Sequence, residues 1–300
     1  MRKRAPAGDR TLVSAKLLWE APLLVRDLHL EYINAGAQVI TTNTYATVKH
    51  RMASILGEGE RWEESMHTAG RLAQEARDAS GREDVLIAGS LPPLNGSYRP
   101  DNVRAMDFIL PTYQEHVAVL SEYVDLFLCE TMTTAREAWA AVSAAKASGK
   151  PVWVSWTLLD DGSTCLRDGD TLQRAWAMVA ELKPEGVLVN CCMPETVTLA
   201  MPALANMGCS IYGGYANGFR RIPADWSLQS AGIEALGRRE DITPEAYVAI
   251  VRTWVKAGAR VVGGCCEIGT AHIAALQRGL CKSTGEEGED EPLAKRVRSN

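Results

Sequence analysis

The sequence predicts an α/β fold on a parallel sheet, either open or closed into a (β/α)8 barrel. Three observations carry that expectation. Seven short runs are almost continuously apolar and rich in β-branched residues, the pattern of strands buried on both faces. Longer stretches with the apolar period of a helix separate them. No linker divides the chain and no glycine-rich dinucleotide turn follows a strand, which argues against a two-domain doubly wound protein.

Gln38-Val39-Ile40-Thr41-Thr42 is the first clear strand, followed by Val85-Leu86-Ile87-Ala88 and Leu126-Phe127-Leu128-Cys129. Val152-Trp153-Val154-Ser155-Trp156, Val187-Leu188-Val189, Ile211-Tyr212-Gly213 and Arg260-Val261-Val262 complete the set. Between them, residues 24–35 place Leu24, Leu28, Tyr32 and Ile33 on one helical face and stop at Gly36, which suits the left-handed position after a helix. Residues 62–79, 134–148, 171–182, 194–207 and 244–256 read as further helices, and Pro194 and Pro244 sit where a first turn tolerates proline. A closed barrel of this type needs eight strands. The eighth is due before Leu24, where residues 1–19 offer no convincing apolar run. Either the barrel opens at that seam or the natural start lies upstream. Residues 1–281 read as a single barrel domain, and the polar, aperiodic segment 282–300 as a disordered tail.

Composition removes several function classes. A net charge of −5 supplies no basic field for nucleic acid or an anionic membrane. Basic Met1-Arg2-Lys3-Arg4 is not followed by the apolar stretch of a signal peptide, and no apolar run approaches the roughly 20 residues that span a bilayer. The expectation is a soluble, cytoplasmic protein with small-molecule partners. Oligomeric state is not readable, since exposed barrel helices look alike whether or not they pair. Eight cysteines in a chain of 300 residues without an export signal do not suggest a disulfide framework. The neighbours Cys191-Cys192 and Cys265-Cys266 reinforce this, because a bridge between adjacent cysteines is strained. Metal binding and simple burial of small apolar side chains remain.

Cys191 follows the run 187–190, and Cys265-Cys266 follow Val261-Val262-Gly263-Gly264, so all three sit at strand C-terminal ends. In a barrel those ends share one face, which carries the active site. The Gly-Gly pair is expected to let the backbone turn tightly and approach a metal. Three thiolates with one open position make a catalytic zinc site rather than a closed structural one. A thiol arriving at Zn2+ ionises near neutral pH, and thiolate is the nucleophile that alkylation requires. Plain burial suits Cys129, Cys165, Cys209 and Cys281 singly, but not two vicinal pairs at strand ends. The pleat sends neighbours to opposite sides, so one of Cys191 and Cys192 faces the metal, and the pattern alone leaves the choice open.

Asn190-Cys191 and Gly263-Gly264-Cys265-Cys266, followed by Gly269-Thr270-Ala271-His272-Ile273, resemble the homocysteine S-methyltransferase family. The run from Ala35 to Tyr45 with its Thr41-Thr42-Asn43 core, Gly89-Ser90-Leu91, and Cys129-Glu130-Thr131-Met132 resemble that family's second, third and fourth strand ends. The likeness runs from about Lys16 to Leu280. It implies a (β/α)8 TIM-type barrel, Zn2+ on Cys191, Cys265 and Cys266, and methyl transfer to homocysteine sulfur to give methionine. It favours Cys191 over Cys192 and matches Glu130 to the carboxylate that binds the substrate's amino group, a sensible charge-assisted pair. Thr42, Asn43 and Ser90 at the barrel mouth are candidates to bind the substrate carboxylate or to fix the loop, with strand-end capping as the other role. Tyr45, Tyr98, Trp156 and Tyr215 lie near strand ends, where packing competes with holding a cationic donor on an aromatic face. His272 reads as a cap or packing residue. The chain departs from the family in one respect: the Asp-Gly-Gly strand with which the family begins is absent before Arg2-Lys3-Arg4-Ala5-Pro6. A non-catalytic zinc-binding barrel is therefore the rival to an enzyme. A single domain leaves no room for folate and cobalamin modules, which favours a sulfonium donor, S-methylmethionine before S-adenosylmethionine. A betaine-type donor and a selenohomocysteine acceptor are the alternatives.

Overall fold

The computed structural model describes residues 12–223, 226, 233–281 and 294. Apart from Ala294, the segment 282–300 expected to form a tail lies outside the described residues, as does 1–11. In chain order the elements are α1 (Val13–Glu20), α2 (Pro22–Asn34), β1 (Val39–Thr41), α3 (Lys49–Leu56), α4 (Trp62–Ser80) and β2 (Leu86–Leu91). There follow α5 (Met106–Leu120), β3 (Leu126–Met132), α6 (Ala135–Lys146), β4 (Val152–Trp156), α7 (Leu172–Val179) and β5 (Gly186–Asn190). The last are α8 (Pro194–Ala205), β6 (Ile211–Ala216), α9 (Pro244–Lys256), β7 (Val261–Gly264) and α10 (Thr270–Cys281).

All seven expected strands form one sheet in the order β1 to β7, every neighbouring pair parallel. Among the described residues β1 and β7 are not paired with each other, so the sheet is seven-stranded and not the complete eight of a closed barrel. Of the segment where the eighth strand was due, the described part forms α1. Its Leu17 and Leu18 are buried with Val25 of α2 and Ala69 and Leu72 of α4.

The two faces of the sheet separate by parity, as the pleat requires. Leu86, Ala88, Leu126, Leu128, Trp153, Leu188 and Ile211 form a cluster built almost wholly from strand residues, which is the concave face. Their neighbours Val85, Ile87, Phe127, Cys129, Val152, Val154, Val187 and Val189 pack with helix residues in the large outer cluster. Burial on both faces explains why the strands read as continuous apolar runs.

Of the helices outside the predicted ranges, α5 and α3 escaped the sequence pattern for local reasons. In α5, Pro111 sits mid-helix and lacks the backbone donor a helix interior uses, yet Ile109, Tyr113, Val117 and Leu120 are buried on one side and hold it. α3 buries only Met52, too little for an apolar stripe to show. No helix among the described residues is long and apolar enough to cross a membrane.

Glycines in β6 and β7 let the sheet close up where the site is built. A Cβ on Gly213 would lie 1.8 Å from the Val261 carbonyl oxygen of the neighbouring strand, a distance no relaxation of a side chain relieves. A Cβ on Gly263 would meet only the Tyr215 Cβ, at an ordinary 3.5 Å. Gly213→Ala is therefore expected to destabilise the protein by about 3 kcal/mol or more through forced backbone displacement, whereas Gly263→Ala stays within about 1 kcal/mol. Thermal melts of the two variants beside the parent check the contrast, and equal losses would refute it.

Candidate metal centre and substrate pocket

β5 ends at Asn190, and Cys191 takes the left-handed conformation with φ 56. That single departure from the pleat settles which neighbour faces the site. Cys191 joins Tyr98, Phe219, Ile222, Trp226 and Leu236, with Cys265 and Cys266 packed against them. Cys192 turns into the outer core and is fully buried. Backbone bonds hold the bend: Cys191 N donates to Tyr215 O at 3.1 Å, and Asn217 N donates to Cys192 O at 3.0 Å.

Cys265 continues from β7, its N donating to Ala216 O at 2.8 Å, while Gly218 N donates to Cys266 O at 2.8 Å. The expected tight turn at Gly263-Gly264 is not where the chain bends. Neither glycine has positive φ, and the turn comes at Glu267, with φ 63. Gly264 serves packing instead, since a Cβ there would lie 2.1 Å from Ile268 Cγ2.

The result is three sulfurs, those of Cys191, Cys265 and Cys266, all within 4.8 Å of one another. Cys265 Sγ donates to Cys191 Sγ at 2.9 Å. Hydrogen bonding to the Cys191 and Cys266 thiols, followed by burial, pushes the Cys265 thiol well above its ordinary value. Cys191 also ends well above its ordinary value: the bond from Cys265 favours its thiolate, but the Cys266 contact and burial outweigh it. Three sulfurs crowded this way cannot ionise together without a counter-charge. A soft divalent cation supplies one, and an all-sulfur donor set suits zinc. The residues present fit such an ion.

On the concave face, one pleat beyond the apolar layer, lie Ser90, Glu130, Ser155, Asn190 and Tyr215. Glu130 is buried; its Oε1 accepts from Ser90 Oγ at 2.5 Å and its Oε2 from Tyr215 Oη at 3.1 Å. Burial raises its pKa, the two hydrogen bonds pull it back, and the nearby Cys266 adds to the rise. Glu130 and the sulfur cluster therefore lie within electrostatic reach of one another. Ser90 is tied to β1 in turn. Its N donates to Thr42 Oγ1 at 3.1 Å, and Thr44 Oγ1 donates to Ser90 O at 2.8 Å. Thr44's only hydroxyl proton points at Ser90, so in the 2.9 Å contact between the two threonines Thr42 is the donor. Thr42 thus both donates and accepts within the fold. Asn43 turns outward, its Nδ2 donating to Ser14 O in α1 at 2.7 Å.

Other residues at strand ends have structural partners that the sequence did not announce. Asn190 Oδ1 accepts from Thr131 N at 2.9 Å and from Ser155 Oγ at 2.7 Å, while its Nδ2 donates to Thr131 Oγ1 at 2.8 Å. It locks Thr131, another left-handed residue with φ 60, one position past Glu130. Tyr98 Oη lies 2.9 Å from Cys191 Sγ, and Tyr45 Oη 2.7 Å from Ser97 Oγ. Trp156 packs in the outer core. His272 is a cap: Gly269 N donates to its Nδ1 at 3.2 Å, which leaves Nε2–H to donate to Ile242 O at 3.0 Å.

The family described as homocysteine S-methyltransferase matches residues 2–280. The chain belongs to the homocysteine S-methyltransferase family. Homocysteine S-methyltransferase of Escherichia coli strain K12 is 30% identical over 287 residues, covering 89% of this chain and 87% of that protein. Homocysteine S-methyltransferase 4 of Zea mays is 28% identical, covering 90% and 83%. Selenocysteine methyltransferase of Astragalus bisulcatus is 26% identical, covering 85% and 82%. Among solved structures, the metallated form of the homocysteine methyltransferase MmuM from Escherichia coli superposes with a TM-score of 0.75 at 26% identity, covering 92% of this chain and 91% of that one.

Within this family member, the loop carrying Tyr98 hangs on a buried carboxylate. Glu137, in the first turn of α6, accepts from Leu94 N at 3.1 Å. Burial pushes its pKa up to about 7, against the pull of that hydrogen bond. The folded pKa exceeds the unfolded value, so Glu137's contribution to stability is full below pH 4.5 and is lost as pH rises through about 7. Glu137→Gln keeps an acceptor but cannot ionise. Its stability relative to the parent is expected to climb by roughly 3 kcal/mol between pH 4.5 and 8. Paired denaturation curves across that range check it; a flat difference would show that the carboxyl does not ionise there.

Proposed function

We propose that this protein moves a methyl group from a sulfonium donor to homocysteine, giving methionine, with zinc held by Cys191, Cys265 and Cys266. The observation that carries the reading is the convergence of three sulfurs from two strand ends beside the buried Glu130. Residues 1–281 form the catalytic domain in this proposal.

When bound by Cys191, Cys265 and Cys266, zinc would supply a Lewis acid that lowers the pKa of an acceptor thiol. The chain's own residues do the rest. Glu130 receives the acceptor's ammonium; the positive charge favours its ionised form, which burial alone disfavours. Ser90 and Tyr215 hold the carboxylate in place for that contact. Thr42 fixes Ser90 through the backbone, and Asn43 fixes the loop at the mouth. In the reaction the acceptor sulfur gives an electron pair to the methyl carbon as the donor's C–S bond breaks. That bonding pair returns to the donor sulfur, leaving a neutral thioether, and the acceptor's thiol proton passes to solvent. A neutral leaving group departs without a general acid, which agrees with a pocket whose histidine is a cap.

S-methylmethionine is the preferred donor and S-adenosylmethionine the second, with a betaine-type donor as the enzymatic rival. The Astragalus bisulcatus relative named selenocysteine methyltransferase favours a second reading in which a selenol also serves as acceptor.

Zinc-loaded protein is expected to form methionine from homocysteine with one of the sulfonium donors, and removal of the metal by a chelator to abolish turnover reversibly. Absence of product with every donor, betaine included, would leave only the non-catalytic zinc-binding reading. Cys266→Ser is expected to lower metal content and to cut kcat/KM at least a hundredfold. Glu130→Gln is expected to raise KM for homocysteine by roughly tenfold to a hundredfold, the loss of one charge-assisted bond, while zinc content stays at the parent level. A Glu130 variant that loses zinc but keeps KM would contradict its assigned role.

A further inference from the structure

We propose that Tyr98 is a positioning residue of the metal centre, donating a hydrogen bond to the Cys191 sulfur while the buried Arg167–Asp160 pair holds its ring. This rests on the three-thiolate reading above.

The contact itself is 2.9 Å between Tyr98 Oη and Cys191 Sγ. As a metal ligand Cys191 is a thiolate and can only accept, so the phenol must be the donor. Tyr98 reaches that position from a left-handed backbone, φ 63, in the loop that Glu137 anchors. A non-glycine residue held there stores about 1 kcal/mol or more of strain, which the surroundings must override.

The surroundings are unusual. Arg167 lies with its guanidinium carbon 4.9 Å from the Tyr98 ring centroid, and Trp226 meets the same ring edge-on at 5.6 Å. The Arg167 side chain is 1% exposed and that of Asp160 fully buried. Their closest approach, Nη2 to Oδ2, is 3.6 Å. Nη1 donates to Ile222 O at 3.3 Å, but Nε and Nη2 of Arg167 and Oδ2 of Asp160 have no hydrogen-bond partner. A pair so loosely joined is a poor stabilising device, because burying two charges costs several kcal/mol that only close pairing offsets. What the pair does accomplish is placement. Asp160 Oδ1 accepts from Met193 N at 2.8 Å and Thr196 Oγ1 at 2.7 Å, at the start of the helix that follows Cys191. Arg167 then spans from that helix to the face of Tyr98. The cation also draws electron density from the ring, which makes the phenol a stronger donor.

The consequence for chemistry follows from the bond's direction. A hydrogen bond to a ligand thiolate withdraws negative charge from its sulfur and steadies its geometry. Cys191 then competes less well than the acceptor sulfur for an electrophilic methyl group. Cys265, half-buried, donates its thiol proton to Cys191 Sγ at 2.9 Å and serves as the internal reference for Cys191.

The test uses the full chain loaded with Co2+, whose sulfur-to-metal charge-transfer absorption reports the electron richness of the ligands. In Tyr98→Phe that band is expected to move to longer wavelength, metal loss to a chelator to accelerate about tenfold, and iodoacetamide labelling of Cys191 to rise about tenfold relative to Cys265, read by peptide mass spectrometry. A folded variant with an unmoved band and an unchanged Cys191-to-Cys265 ratio overturns the proposal, as does a uniform rise in labelling at all three sulfurs. Where Tyr98→Phe does not fold, the double variant Asp160→Asn with Arg167→Met removes both buried charges together and keeps the phenol. It is expected to shift band and ratio in the same directions by a smaller factor, and no shift overturns the proposal. Failure of the parent chain itself to take up Co2+ would sink the three-thiolate reading first.

Discussion

The curl of the parallel sheet is the constraint on which this site depends. Strand axes in a flat sheet lie about 4.8 Å apart, so β3 and β6, three places from each other, would be separated by about 14 Å. Tyr215 on β6 nevertheless hydrogen-bonds Glu130 on β3 at 3.1 Å across the concave face. Asn190 on β5 likewise reaches Thr131 beyond the intervening strand. Parallel pairing in sequence order puts every strand's C-terminal end on one rim, and curvature brings that rim's side chains inward.

Within that frame, chemistry sits where the pleat is broken. Thr131, Cys191 and Glu267 are all left-handed residues just at or past the ends of β3, β5 and β7. Each costs about 1 kcal/mol or more in backbone strain, and neighbouring strands hold the first two: Thr131 N donates to Asn190 Oδ1 and Cys191 N to Tyr215 O. The break at Cys191 separates two adjacent cysteines into a site residue and a core residue. After β7 the chain turns from Cys265 to Ile268, Ile268 N donating to Cys265 O at 3.2 Å, so Cys266 lies within the turn and outside the pleat. Strain thus lies where the strands stop being scaffold and become ligands.

Much of this was legible in the chain itself because it is local. The strands are continuous apolar runs, and all seven stand where those runs fall. Cysteines placed after strands 5 and 7 point to a shared rim, and the sulfurs do converge there. What was not legible depends on pairings distant in sequence. Tyr98 and Cys191 are 93 residues apart, and Asn190 and Thr131 are 59 apart, so no spacing rule connects them. Thr42 and Asn43 carry the right chemistry for a ligand, but their polar groups are engaged by Ser90, Thr44 and Ser14, which only the fold brings near. The Gly-Gly pair was read as a turn because glycine permits one; the actual service of Gly264 is to make room for Ile268. Pro111 hid α5 for the opposite reason, since tertiary burial outweighed a local preference.

The Tyr215–Glu130 bond has a further meaning. It fastens the half of the site that carries the carboxylate to the half that carries sulfur, like a tie-rod across an arch. In the proposed reaction an ammonium arriving at Glu130 meets a carboxylate gripped at both oxygens, one by Ser90 and one by this rod. The gap between carboxylate and sulfurs then acts as a ruler. A ligand bound as proposed, its amino-to-sulfur span differing from that gap, would meet the elastic resistance of seven hydrogen-bonded strands rather than that of one side chain. On the proposed function, chain length in the acceptor would be measured by stiffness.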